Sequence, residues 1–127
     1  MTRDLNLIRQ LAIHIEQAPG PLDSTTIDIE GYSSEQVGYH CALIAEAGLV
    51  DFENLGKMDM RFMSVMIYRL SWAGHDFLDA ARDDKTWNKV TKQIKERATS
   101  VAFDVVLEFL KSAGRSVIGQ ASEWASQ

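Results

Sequence analysis

Several things are scarce in this 127-residue chain. Its single cysteine, Cys41, excludes an intramolecular disulfide, and a reducing, cytoplasmic setting is expected. No run of about 18 apolar residues occurs, which excludes a membrane-spanning helix. The N-terminal stretch is mixed in charge and has no apolar segment before a small-residue cleavage site, so secretion is not expected. There is no GxSxG, no glycine-rich phosphate loop and no dinucleotide fingerprint. CxxC, HxxxH and HExxH spacings are missing as well. These absences leave no basis for an enzyme, a cofactor, a metal or a small-molecule substrate.

Cations are also scarce in the first part. Residues 1–56 hold two basic groups, Arg3 and Arg9, against nine acidic ones, a net of −7. Residues 57–97 hold nine basic against six acidic, and residues 98–127 two against three. The total of −5 is unlike a dedicated nucleic-acid binder, and any anion-binding surface is expected in the middle third.

The length suits one domain with a core of its own, or a domain with a helical appendage. Leu5, Ile8, Leu11, Ala12 and Ile15 recur at helical spacing and predict a helix over 3–18. Pro19-Gly20-Pro21 ends it. Ile27 and Ile29 alternate with Asp28 and Glu30 and predict a short edge strand. Ser33 or Ser34 caps a second helix that Gly48 stops. Its expected inner face is Val37, Cys41, Ile44 and Ala47, with His40 beside it. Its expected outer face is Glu35, Gly38, Tyr39, Ala42 and Glu46, and no lysine or arginine lies between Ser34 and Ala47. Leu49–Leu55 and Phe62–Leu70 read as an antiparallel hairpin around a turn, Asn54–Arg61, that contains Gly56.

Ser71 then offers an N-cap for a third helix, Ser71–Arg82. Asp83-Asp84 interrupts it before a fourth, Lys85–Ala98, in which Trp87, Val90, Ile94 and Ala98 share one face. A fifth, Ser100–Ala113, is apolar over an unusually wide arc. The arrangement expected is α+β: helix, short strand, helix, β-hairpin wing and helix within residues 1–82, then a helical extension over 83–127. The strand-to-helix joint at Tyr68–Asp79 resembles the exit of a winged-helix domain. Trp72, Phe77 and Leu78 are expected in the core with Leu11, Ile44 and Leu70.

Three stretches carry a family resemblance: V-G-Y-H-C-A-L-I-A-E-A-G-L-V (Val37–Val50), Y-R-L-S-W-A-G-H-D-F-L-D (Tyr68–Asp79) and A-R-D-D-K-T-W-N-K-V (Ala81–Val90). In order and spacing they resemble a family of small bacterial and phage proteins catalogued as a domain of unknown function. The resemblance spans most of residues 4–95. It implies a winged-helix-like fold and a phage, prophage or bacterial-defence setting, and it carries no catalytic residue. One departure is evident. Residues 19–33 hold a proline turn and a short strand where a helix-turn-helix places its supporting helix.

Two surfaces compete for a binding role. Met58, Met60, Met63 and Met66 crowd the hairpin, and flexible thioethers suit adaptable protein contacts. With Tyr39 on the second helix and Phe109 and Leu110 on the fifth, they make up a protein-interaction surface, self-association included. The alternative is a winged-helix DNA-binding regulator. It would use Lys57, Arg61 and Arg69 in the wing and the stripe Lys85, Lys89, Lys92, Lys95 on the fourth helix. Gln36 could reach a base in that case, although the second helix offers carboxylates and no cation to phosphate. The plainer reading of the lysine stripe is the wet face of an amphipathic helix. His14, His40, His75 and Cys41 are assigned structural roles, Cys41 by its inward face. A non-catalytic protein-interaction and regulatory module is therefore the expectation.

Overall fold

The computed structural model describes residues 1–59, 62–96 and the helical positions 106, 108 and 110. The chain divides into two compact units, Met1–Leu78 and Asp79–Gln127. The elements in order are α1 (Leu5–Gln17), β1 (Leu22–Asp23), α2 (Ser34–Glu46), β2 (Val50–Asp59), β3 (Phe62–Leu70), α3 (Trp72–Ala81) and α4 (Asp84–Glu96). The strands form one antiparallel sheet in the order β1-β3-β2, so the fold is α+β with a β2–β3 hairpin.

In the first unit, α1 and α2 contact each other and both contact the central strand β3. Asp4 caps α1, its carboxylate accepting the Leu7 N–H at 3.2 Å. Leu7, Ile8, Leu11, Ala12 and Ile15 are buried along one side, while Leu5 is only half-buried. The early strand is not where alternation placed it. Leu22 and Asp23 pair with Ile67 and Met66, whereas Ile27 and Ile29 belong to no strand. The cause is a turn. Asp23 accepts the Thr25 N–H and hydroxyl on its carboxylate (2.9 and 2.7 Å) and the Thr26 N–H on its carbonyl (2.9 Å). That local competition draws the chain off the sheet before Ile27. Ser24 completes the pairing with its side chain: its N–H donates to the Val65 carbonyl, and its hydroxyl accepts the Val65 N–H at 3.0 Å.

Ser33 is the cap of α2, in a reciprocal box with Gln36. The Ser33 hydroxyl accepts the Gln36 N–H at 3.1 Å, and the Gln36 side chain accepts the Ser33 N–H at 2.9 Å. The expected outer face of α2 is largely covered. Gly38 and Ala42 are buried with Val37, His40, Cys41, Ile44 and Ala45, and Ala47 is exposed. The helix therefore lies wrapped on two sides, and of that expected face only Glu35 and Glu46 are fully exposed.

The hairpin arm β2 reaches further than its composition suggested, through Asn54–Asp59. Gly56, at φ 73°, sits within the strand at an irregularity between Asn54 and Met58, and its N–H donates to the Asn54 side chain at 2.8 Å. The glycine thus serves a bulge inside the strand. A second irregularity, between the Asp51–Arg69 and Phe52–Ile67 pairs, leaves Tyr68 without a partner in the register. Consecutive side chains then point outward, while Ile67 before them and Leu70 after them stay buried.

At the end of β3 the chain meets the corner that closes α2. Gly48 (φ 76°) turns the backbone. The Ser71 N–H donates to the Leu49 carbonyl at 3.0 Å, and the Ser71 hydroxyl donates to the Gly48 carbonyl at 2.5 Å. That same hydroxyl accepts the Gly74 N–H at 3.1 Å, which caps α3. Gly74 lies so close that a Cβ there would stand 2.0 Å from the Leu49 oxygen.

The expected core holds for Leu11, Ile44, Leu70, Phe77 and Leu78, all buried. It fails for Trp72, which is 86% exposed. The helical repeat explains the failure. At about 100° per residue, Phe77, Leu78 and Ala81 fall between about 140° and 240° from Trp72, on the far side of α3.

In the second unit Asp83 caps α4, accepting the Thr86 N–H at 3.1 Å and the Thr86 hydroxyl at 2.6 Å. Those hydrogen bonds hold its carboxyl below the usual range. The cap is therefore intact above the ordinary carboxylate pKa and is lost as pH falls through the lowered folded value. Trp87 and Val90 are buried, as are Val106 and Leu110.

Gly74→Ala should destabilise the protein by more than about 3 kcal/mol in urea titration, because backbone must move to admit the methyl group. Gly20, with open space around it, should accept alanine within about 0.5 kcal/mol.

Candidate functional site

Among the described residues, the side chains proposed from the sequence lie on α2, the β2–β3 hairpin, α4 and position 110. Tyr39 is half-buried, its ring meeting the edges of His40 (centroids 5.5 Å apart) and Phe62 (6.0 Å). Met63 and Met66 are half-buried, and the Met63 sulfur accepts the Asn54 side-chain N–H at 3.6 Å. Met58 lies opposite Met63 in the hairpin. The side chains of Lys57, Met58 and Lys95 lie outside the described residues, as do Met60, Arg61 and Phe109 altogether. Leu110 is completely buried and offers no surface.

Of the cations, Arg69 is tied to Asp51 across the hairpin at 2.6 Å. Lys85, Lys89 and Lys92 are exposed on one side of α4, opposite Trp87 and Val90. Gln36, assigned a possible base contact, is engaged in the α2 cap.

What the sequence reading missed is aromatic. Trp72 (86% exposed), Tyr68 (47%) and Phe52 (38%) are exposed on adjoining elements of the first unit. The Tyr68 hydroxyl donates to Glu53 at 2.6 Å, and chiefly this bond pushes the phenol up from its ordinary value. Tyr68 is thereby held beside Glu53. The signal for Trp72 was available, since its phase relative to Phe77 and Leu78 is fixed by helix geometry. The signal for Tyr68 was not, because the bulge that turns it outward needs the register of both strands.

A second missed feature is a small cavity of about 100 Å³ beside the first turns of α2. Ser34, Glu35 and Gly38 line it from the helix, Ser24 and Thr25 from the turn after β1, and Phe62 and Ser64 from β3. Gly38 makes room for the Phe62 ring in its wall: a Cβ there would stand 2.8 Å from that ring.

His40 and Cys41 have structural environments. The Asp4 N–H donates to His40 Nε2 at 2.8 Å, and Nδ1 lies 2.7 Å from the Gln36 carbonyl. A carbonyl only accepts, so Nδ1 carries the proton and Nε2 is the acceptor. This neutral imidazole ties the start of α1 to α2. Cys41 is fully buried, and burial pushes its thiol up to about 12. No group of three or more His, Cys, Asp or Glu among the described residues is arranged to hold a metal. No helix among them is long and apolar enough to cross a membrane.

Two outcomes follow from these environments. Trp72→Ala should change the unfolding free energy by less than about 0.5 kcal/mol, whereas Phe77→Ala should cost about 3–5 kcal/mol in the same titration. Cys41 should resist iodoacetamide at pH 8 in the native protein and react at the rate of a free thiol once urea unfolds it. Rapid native labelling would contradict its burial.

No solved structure matches this chain. An uncharacterised protein of Haemophilus influenzae is 31% identical over 121 residues, covering 94% of this chain and 98% of its own length. Residues 2–100 match the family described as hypothetical protein, DUF2513. By that match the chain belongs to the DUF2513 family.

Proposed function

We propose that this protein is a non-catalytic interaction module that docks a protein partner through Trp72. The observation that carries this reading is the 86% exposure of Trp72 at the first turn of α3. A tryptophan so exposed contributes little to folding, yet tryptophan, tyrosine and arginine are the residues most enriched among interface hot spots. Tyr68 and Phe52 are further exposed aromatic side chains of the first unit, and the Asp51–Arg69 and Glu53–Tyr68 pairs are polar contacts of the kind found at interface rims. The half-buried Met63 and Met66 add flexible thioethers to the hairpin. The same chemistry suits a second copy of the chain, so self-association falls within the reading.

A second reading has a specific support in the exposed Lys85, Lys89 and Lys92. The order helix, short strand, helix, hairpin, helix is compatible with a winged-helix-like domain, in which β2–β3 is the wing and α2 stands where a recognition helix would. That helix is wrapped by the rest of the domain and carries no cation between Ser34 and Ala47. DNA contact would therefore fall to the wing and α4.

The test is recovery from a bacterial lysate on immobilised wild-type and Trp72→Ser protein, with light scattering over a concentration series. Under the first reading, a partner or a self-associated species is present with wild type and reduced about tenfold or more in the variant, a loss of about 1.4 kcal/mol or more. Identical recovery and identical mass for the two proteins would reject it. The second reading expects a duplex-DNA mobility shift that weakens by about 0.9 in logarithmic salt slope for each phosphate-contacting lysine removed. No shift at low salt would reject that.

A further inference from the structure

We propose that the cavity beside α2 is a receptor for a cationic side chain, a lysine or arginine presented by a protein partner. The inference rests on the interaction-module reading and names a chemistry for one part of it. The cavity, about 100 Å³, suits an ammonium or guanidinium head with part of its stem better than a whole ligand. Its walls divide by chemistry. The Phe62 ring, drawn close by Gly38, supplies an apolar and π-rich side for the stem and the charge. Ser24, Thr25, Ser34 and Ser64 supply hydroxyl oxygens, and Glu35 supplies the only formal charge among the described lining residues.

Anions are disfavoured here. The cap of α2 is already closed by the Ser33–Gln36 box, so those two backbone donors are engaged. Glu35 would also repel an anion. Among the described residues, neither the Glu35 carboxylate nor the Ser34 hydroxyl has an ion-pair or hydrogen-bond partner. Residues 1–56 carry a net charge of −7, so the surroundings attract the same sign as the cavity.

The experiment is an amide-resolved NMR titration of the full chain with three capped tripeptides, Gly-Lys-Gly, Gly-norleucine-Gly and Gly-Glu-Gly. Gly-Lys-Gly should shift the amides of Ser24, Thr25, Ser34, Glu35, Gly38 and Ser64 at millimolar concentration. Glu35→Gln should weaken that response about twofold to fivefold, as expected for loss of an exposed charge pair. Equal response to the norleucine peptide would make the cavity merely an apolar slot and overturn the proposal. So would a preference for the glutamate peptide, or silence at these amides. Trp72→Ser serves as the control. A Trp72-dependent partner that binds Glu35→Gln unchanged removes the cation receptor and leaves the interaction module standing. Lysine-peptide shifts without any Trp72-dependent partner do the reverse.

Discussion

One carbonyl oxygen organises the first unit. The Leu49 oxygen receives the Ser71 N–H and lies against the bare α-carbon of Gly74, while Ser71 reaches back to Gly48 and forward to cap α3. Three elements are fixed there together: the end of α2, the first residues of β2 and the start of α3. Each contact is modest alone, since a net hydrogen bond is worth about 1 kcal/mol. Their geometry is demanding because the atoms on both sides are backbone. The spacing Ser71-Trp72-Ala73-Gly74 in the middle signature stretch thus has a physical reason. Position 71 must carry a hydroxyl, and position 74 must carry no side chain.

The rest of the unit is held by polar side chains standing in for missing backbone partners. Ser24 continues the β1–β3 pairing after the strand has turned away. His40 accepts the Asp4 N–H and anchors the entry of α1. Asn54 takes the N–H left over at the Gly56 bulge. These substitutions give backbone groups partners around a sheet with a two-residue edge strand, and among the described residues no buried side-chain nitrogen or oxygen is unmatched.

Much of this was legible in the sequence. Helix positions followed from apolar spacing and caps, and the hairpin followed from two runs of strand-forming residues. The shortfalls have specific causes. Asp23 and the threonines after it held a turn strong enough to displace the strand from Ile27–Ile29. Gly56 read as a loop residue because a bulge and a turn call on the same conformational freedom. Gly38 and Ala42 read as an outer face because small residues look polar-side in a helical projection, although the smallness of Gly38 is what admits Phe62. The candidate surfaces were less legible than the fold. Trp72 was assigned to the core by its size rather than its phase. The cavity draws on residues from three separated stretches that only the sheet brings together.

The doubled outward step at Tyr68 and Arg69 makes this part of the chain depend on length as much as on composition. Beyond it lie Leu70, the Ser71 joint and Trp72, all keyed to one count of residues from Ile67. Removing a residue from the bulge would place the next side chain on the wrong surface of the ribbon and rotate the whole entrance to α3. Substitutions at either position are therefore expected to be tolerated among relatives far more readily than any gap there.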